Sequence, residues 1–287
     1  MDKINLKFIN SNNNTLEIND NSVFKLLKIE GIDTTEFNVN ASDNATYDGG
    51  VILSKRITKR PISISADYNG RDLVGKRQEL IKFFNLKDEG MLIVEFGEIK
   101  RAIKYHIEKL NLPLENVYQG ITFNIDLICL EPFFKNINES RVDLSNWIGK
   151  FHFPLILKND GIILGLKEPN LMANIINDGD VETGLKIVIT ANSECNSPKI
   201  VNAVTGEFME INVDLLSGDR IIIDTNQGTK SIKRERNGIT TSVLAFLNIE
   251  STFLKIRVGD NMLTYTAKEN PDALSINFYY NPCYLGI

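Results

Sequence analysis

The side chains able to do acid, base or metal chemistry are few and lie far apart. Of the two histidines, His106 falls in Arg101-Ala-Ile-Lys-Tyr-His-Ile107, whose alternation puts it on one side with Lys104 and Glu108. A solvated or paired imidazole is expected there, not a general base. His152 stands between Phe151 and Phe153, which suits packing or an interdomain contact. Trp147 joins those two phenylalanines as a conceivable sugar-stacking platform, although interdomain packing is the preferred reading. The densest carboxylates are Asn177-Asp178-Gly179-Asp180-Val181-Glu182. Such a cluster can hold calcium or supply a carboxylate pair for glycoside hydrolysis. It lacks the alternating ligands and closing Glu of an EF-hand loop, and Asn-Asp-Gly-Asp is what a turn between strands requires.

Cys129, Cys195 and Cys283 are odd in number and widely spaced, so each is expected to be a reduced, buried apolar residue. A metal role would need a second ligand two to four residues away, and none has one. The basic run Lys230, Lys233, Arg234, Arg236 is interrupted by Glu235 and, on a strand, would point to both faces. No Gly-x-Ser-x-Gly elbow, phosphate loop or dinucleotide fingerprint occurs. These residues lead to an expectation of no catalytic, cofactor or metal site. A large β protein without a convergent set is usually a scaffold or a binding module.

At 287 residues the chain suits two domains. The net charge of −5 is spread evenly, with 20 acids against 18 bases in residues 1–140 and 17 against 14 beyond. No half is a basic arm, so sequence-independent binding to phosphates gains no support. The longest apolar runs are far too short for a bilayer span, and the first residues carry no secretory pattern.

The elements that must position these residues are mostly strands. Pro61–Tyr68, Met91–Phe96, Arg101–Ile107 and Gly120–Leu130 alternate apolar and polar positions, and Gly97 suggests a hairpin between the second and third. One helix is expected over Arg71–Phe84, with Leu73, Val74, Leu80, Ile81 and Phe84 on one face. Glu131-Pro132 stops the last strand, and polar Lys135–Asp143 reads as a linker. The second half offers candidate strands at Phe153–Leu157, Asn174–Ile176, Leu185–Ala191, Lys199–Val204, Glu207–Leu215 and Arg220–Thr225. Further ones lie at Lys230–Arg236, Val243–Phe246, Phe253–Val258, Met262–Thr266 and Leu274–Tyr280. Turn residues separate them at 177–180, 196–198, 217–219, 237–238 and 259–261. The expected fold is mainly β, with an α+β domain over 1–137 and a β-sandwich over 138–287.

In order and spacing these features resemble the distal tail protein family of phages with long flexible tails. In the first half the likeness rests on the Lys59-Arg60-Pro-Ile-Ser-Ile strand and on Asn69-Gly-Arg-Asp72 opening the helix Lys76–Phe84. The closing strand Leu127-Ile-Cys-Leu-Glu-Pro-Phe-Phe134 also matches. In the second half it rests on Asn177–Asp180, Pro198–Asn202, Thr205-Gly-Glu207, Leu216–Thr225 and Val258-Gly-Asp-Asn261. In that last string Val258 and Asp260 depart from the family's Pro-Gly-Asn.

The resemblance implies a ring-forming N-terminal domain with one helix and a galectin-like C-terminal β-sandwich. It implies a non-enzymatic structural subunit of the virion's tail tip or baseplate, assembled in the bacterial cytoplasm. A hexameric ring would join the tail tube protein to the tail-associated hub or lysin protein, with receptor-binding proteins at the rim. Viral DNA would be passing cargo, and no membrane or cofactor is involved. A carbohydrate-binding sandwich for host adsorption is the alternative.

Overall fold

The computed structural model describes residues 3–33, 37–113, 120–149, 165–169 and 172–287. Two compact units form: residues 1–137 together with 283–287, and residues 138–282. The chain therefore enters the second unit after Ile137 and returns to the first at Cys283. The expected second domain ran to residue 287, but the last five residues cluster with the first unit.

In unit 1 the strands are β1 (Ile4–Asn10), β2 (Thr15–Ile18), β3 (Lys25–Glu30), β4 (Phe37–Asp43), β5 (Gly50–Ile57) and β6 (Arg60–Tyr68). Helix α1 (Leu73–Phe83) follows, then β7 (Glu89–Phe96), β8 (Ile99–Asn111), β9 (Ile121–Cys129) and β10 (Phe134–Asn136). The main sheet is antiparallel in the order β2-β1-β7-β8-β9-β6-β3. A bridge from Ile18 to Phe24, just before β3, draws its two ends together.

Alternation decides which face is inside. β6 and β9 bury every second residue, placing Ile62, Ile64, Phe123, Ile125 and Leu127 in one core. Helix α1 plugs that core with Leu80, Phe83 and, just past its end, Phe84. The Phe84 ring meets Phe8 edge-on at 5.1 Å, and Phe8 meets Tyr105 at 5.7 Å. Asp72 caps the helix by accepting from the Gly75 amide at 2.9 Å. Val74 and Ile81, expected on the buried face, are instead 73% and 43% exposed. Leu80 and Phe84 lie on the core side and turn those two outward. At the expected hairpin, Gly97 takes φ 59° and joins Phe96 to its partner Ile99.

Unit 2 begins with β11 (Ser140–Asp143), β12 (Ser145–Gly149), β13 (Gly165–Pro169), β14 (Met172–Asn177), β15 (Leu185–Ala191) and β16 (Cys195–Asn202). It continues with β17 (Phe208–Glu210), β18 (Asp214–Leu215), β19 (Arg220–Asp224), β20 (Ser231–Arg236), β21 (Ile239–Ser242), β22 (Gly259–Glu269) and β23 (Leu274–Tyr280). A final short strand, β24 (Cys283–Tyr284), belongs to unit 1. One antiparallel sheet runs β11-β23-β15-β19-β20-β21 and another β14-β22-β16-β17, with β18 also on β16. Between them lies one core that includes Ile187, Ile189, Ile221, Ile223, Ile276 and Phe278.

Several expectations change. Lys135–Asp143 is not an open linker: β10 and β11 occupy most of it, leaving residues 137–139 between. Val243–Phe246 holds a 3-10 turn over Leu244–Phe246, because a short apolar run without alternation has no sheet face to join. Phe253–Val258 forms no regular strand and makes only the bridge Thr183 to Ile256. Glu207–Leu215 is broken into β17 and β18. Gly259-Asp-Asn261 opens β22 rather than separating strands. The turn lies earlier, where the Asn261 amide donates to the Arg257 and Gly259 carbonyls at 2.7 and 2.9 Å. Phe153–Leu157 lies outside the described residues.

Candidate assembly surface

Among the described residues, those that could have carried chemistry do not converge. His106 lies on β8, half-exposed, with Nε2 4.0 Å from the Glu89 carboxylate on the paired strand. His152, Phe151 and Phe153 lie outside the described residues, and for Trp147 only the strand that carries it is described. In the acidic cluster, Asn177 is buried and organises the turn. Its side-chain amide donates to the Val181 and Ile256 carbonyls at 3.0 and 3.2 Å, and its oxygen accepts from the Gly179 amide. Asp178 and Asp180 are exposed, and Glu182 pairs with Lys255. That is the structural role of an Asx turn. Among the described residues, no three His, Cys, Asp or Glu side chains gather to hold a metal.

Two of the four basic residues on and beside β20, Arg236 and Lys230, are engaged within the unit. Arg236 forks onto Asp219, with Nε 2.9 and 3.0 Å from the two carboxylate oxygens. Glu235 pairs with Arg220 at 3.3 Å, and Lys230 lies over the Phe253 ring. All three cysteines are buried, and none is in a disulfide. Burial pushes the Cys129 thiol up to about 12 and the Cys195 thiol up to about 11. Neither is a thiolate nucleophile near neutral pH. Among the described residues, no helix is long and apolar enough to cross a membrane.

What unit 1 does present is a projecting ribbon. Strands β4 and β5 pair only with each other, and every residue of β4 and all of β5 except half-buried Ile57 are exposed. The register sets Phe37 opposite Ile57, Val39 opposite Lys55 and Ala41 opposite Ile52, so these share one face. A bulge between Asn40 and Ala41 leaves Leu53 as the extra residue on β5. The other face carries Asn38, Asn40, Ser42, Ser54 and Arg56, with Val51 opposite Ser42. That first face is thus mostly apolar and exposed, with Ile52 62% exposed and the Lys55 ammonium 4.3 Å over the Phe37 ring.

Both legs of the ribbon run into a clasp. Arg60, three residues beyond β5, is 4% exposed. Its Nε donates to the Pro132 carbonyl at 2.8 Å, and Nη1 to those of Gly31 and Asp33 at 3.0 and 3.3 Å. Nη2 donates to the Leu285 carbonyl, and the guanidinium stacks 4.9 Å from the Phe134 ring centre. Burial pulls its pKa below the usual arginine range, yet arginine keeps its proton in proteins. The charge is thus dissipated over carbonyl dipoles from separate segments.

The strap formed by residues 283–287 completes the clasp. β24 pairs with β10, Arg101 donates to the Gly286 carbonyl and stacks 3.5 Å over Tyr284, and the Ile287 amide donates to Ile32 at 3.1 Å. Gly286 passes so close that a Cβ there would lie 2.2 Å from the Asp33 oxygen. No sequence signal pointed to Arg60 as an organiser, because its acceptors lie up to 225 residues away.

An antiparallel β fold with its polar groups committed to turns and clasps, and an open ribbon at its surface, has the build of a structural subunit. The comparisons give that class a particular form. Residues 178–284 match the family model described as siphovirus-type tail component, C-terminal domain. Residues 178–284 are thus similar to that tail-component domain. A comparison with curated protein sequences returned no match.

Among solved structures, the crystal structure of the phage SPP1 Dit protein aligns with a TM-score of 0.68 at 12% identity. That alignment covers 98% of this chain and 99% of that one. Its title calls that protein a paradigm of the hub adsorption apparatus in phages infecting Gram-positive hosts. A chain of the phage P2 baseplate, in its activated conformation with calcium, aligns with a TM-score of 0.56 at 12% identity, over 98% of each chain. The same baseplate with strontium gives 0.54 at 11%, again over 98% of each. At these identities the likeness establishes the fold, which extends over both units.

Proposed function

We propose that this chain is the hub subunit of a phage tail tip, with six copies closing into a ring between the tail tube and the distal apparatus. The observation that carries this reading is the joint one. A tail-component domain occupies residues 178–284, and the whole-chain fold is shared with a protein titled as a hub of the adsorption apparatus. In this reading residues 1–137 with 283–287 form the ring wall, and residues 138–282 form the attached sandwich. One face of the ring meets the tail tube protein. The other meets the tail-associated hub or lysin protein, and receptor-binding proteins dock at the rim. Viral DNA crosses the channel as cargo, and a chain of net charge −5 without a basic stripe does not hold it back. Assembly takes place in the host cytoplasm and the product is part of the virion.

The ribbon supports an assembling role, since a lone two-stranded hairpin is marginal in water and gains from a surface that covers it. Sedimentation velocity on the full chain tests the proposal. Six copies of the 32.4 kDa chain in one species, alone or once the tail tube protein is added, is the expected result. A monomer under both conditions would remove the ring.

A further inference from the structure

We infer that the solvent face of the main sheet in unit 1 holds a binding site for an acidic sugar, a hydroxylated ring carrying one carboxylate. The site goes beyond the ring reading and does not depend on it. Where β3, β6, β9 and β8 run side by side, the register lays two polar ladders across the four strands. In one, Glu30 lies opposite Ser63, Ser63 opposite Asp126 and Asp126 opposite Lys109. In the other, Lys28 lies opposite Ser65, Ser65 opposite Asn124 and Asn124 opposite Asn111. On β6 and β9 these positions alternate with the core residues Ile62, Ile64, Ile125 and Leu127, so both ladders face away from the core. The flanking strands are each bulged at the ladders, β3 between Leu26 and Lys28 and β8 between Ile107 and Lys109. Bulges bend the strands that carry them. Between the two lies a concavity of about 360 Å³, lined by the ladder residues and Ile64.

The groups around the concavity divide into engaged and open ones. Lys28 pairs with Glu30 at 2.5 Å, and the Ser63 hydroxyl donates to Asp126 Oδ1 at 2.8 Å. Lys109, although opposite Asp126, has no ion-pair partner among the described residues. The side-chain amides of Asn111 and Asn124 likewise make no hydrogen bond among them. The concavity thus offers one ammonium that calls for an anion, two amides that both donate and accept, and carboxylate oxygens that accept from hydroxyls. That set matches a ring of hydroxyls with a single carboxylate. A polyanion such as a nucleic-acid backbone is opposed by Asp126 and Glu30, whose charges offset those of Lys28 and Lys109. A protein partner fits less well, because the centre of a protein interface is depleted in charge and neither ladder has an apolar side chain. The volume lies at the small end of ligand sites, which suits a ligand of sugar size.

The test is a titration of the full chain with D-glucuronate, followed by saturation-transfer NMR and calorimetry. D-glucose supplies the hydroxyls without the charge, and acetate the charge without the hydroxyls. The wild type should bind glucuronate saturably and at least about tenfold more tightly than either, the worth of one charge-assisted hydrogen bond. Lys109→Met keeps the stem and removes the ammonium. It should bring glucuronate down to the level of glucose while leaving glucose unchanged. Asn124→Ala should weaken both sugars. Both side chains are exposed, so thermal melts should superimpose on the wild type and exclude misfolding. Glucuronate binding that is untouched by Lys109→Met would overturn the site, and so would acetate binding as tightly as glucuronate. A wild type without saturable glucuronate binding would overturn it outright, while leaving the ring reading where it stands.

Discussion

At the residue scale the chain commits its buried charges to architecture. Arg60 is the clearest case: one guanidinium satisfies carbonyls of Gly31, Asp33, Pro132 and Leu285, four segments of low intrinsic regularity. Arg60→Met keeps the bulk and strands those acceptors. With each buried unsatisfied carbonyl costing about 1–3 kcal/mol, unit 1 should lose at least about 3 kcal/mol. Hydrogen exchange should rise sharply in peptides covering 28–33 and 283–287 and stay unchanged in β15 and β19. Uniform exchange across both units would contradict the clasp. Asp219 makes a second, pH-dependent contribution. The fork from Arg236, aided by the Leu216 amide at 2.9 Å, holds its carboxyl below the usual aspartate range. A depressed folded value means stability that is fully present above the unfolded aspartate pKa of about 3.9 and is lost as pH falls through the folded value. Asp219→Asn should therefore destabilise by about 1–3 kcal/mol near neutrality. Denaturant midpoints measured down to pH 3 should show that difference shrinking. A constant difference across that range would contradict the assignment.

At the scale of elements, the strands legible in the sequence were those with one face in a core. β6, β8, β9, β15, β19 and β23 alternate because burial demands it. The first 57 residues were not read as strands, and β4–β5 shows why. Phe-Asn-Val-Asn-Ala-Ser-Asp has no buried position, so it follows no core and its polar half is turn-rich. Helix α1 was legible from its period, yet two of its five apolar positions face out. Periodicity finds a stripe but not which neighbours cover each part of it. As for the site, residue types led only to the expectation of no catalytic set, while the ribbon and clasp depend on long-range pairing. The ribbon also decides where the free chain is vulnerable. The exposed Lys55 and Arg56 of the ribbon should be cut by trypsin before Lys135, which lies in a strand beside residues 137–139. Mass mapping of the first nick checks this, and protection of that site in assembled material should follow. A first cut at 135–139 would show the passage between units to be the weaker point.

At the scale of the whole molecule, the chain leaves unit 1 once and returns to it, so the sandwich of 138–282 is an insertion with its core complete in itself. Unit 1 also carries the exposed β4–β5 ribbon. An inserted unit with its own core leaves the first unit to be completed by residues from both ends of the chain. It also means that a fragment ending near residue 140 lacks β24 and the Leu285 and Gly286 carbonyls. Assembly is therefore best examined on the full chain. Negative-stain imaging of the purified protein, with the tail tube protein added, addresses the central claim most directly. The account predicts six-fold class averages with an open central channel. A field of single compact particles, or a closed assembly without a hole, would contradict it.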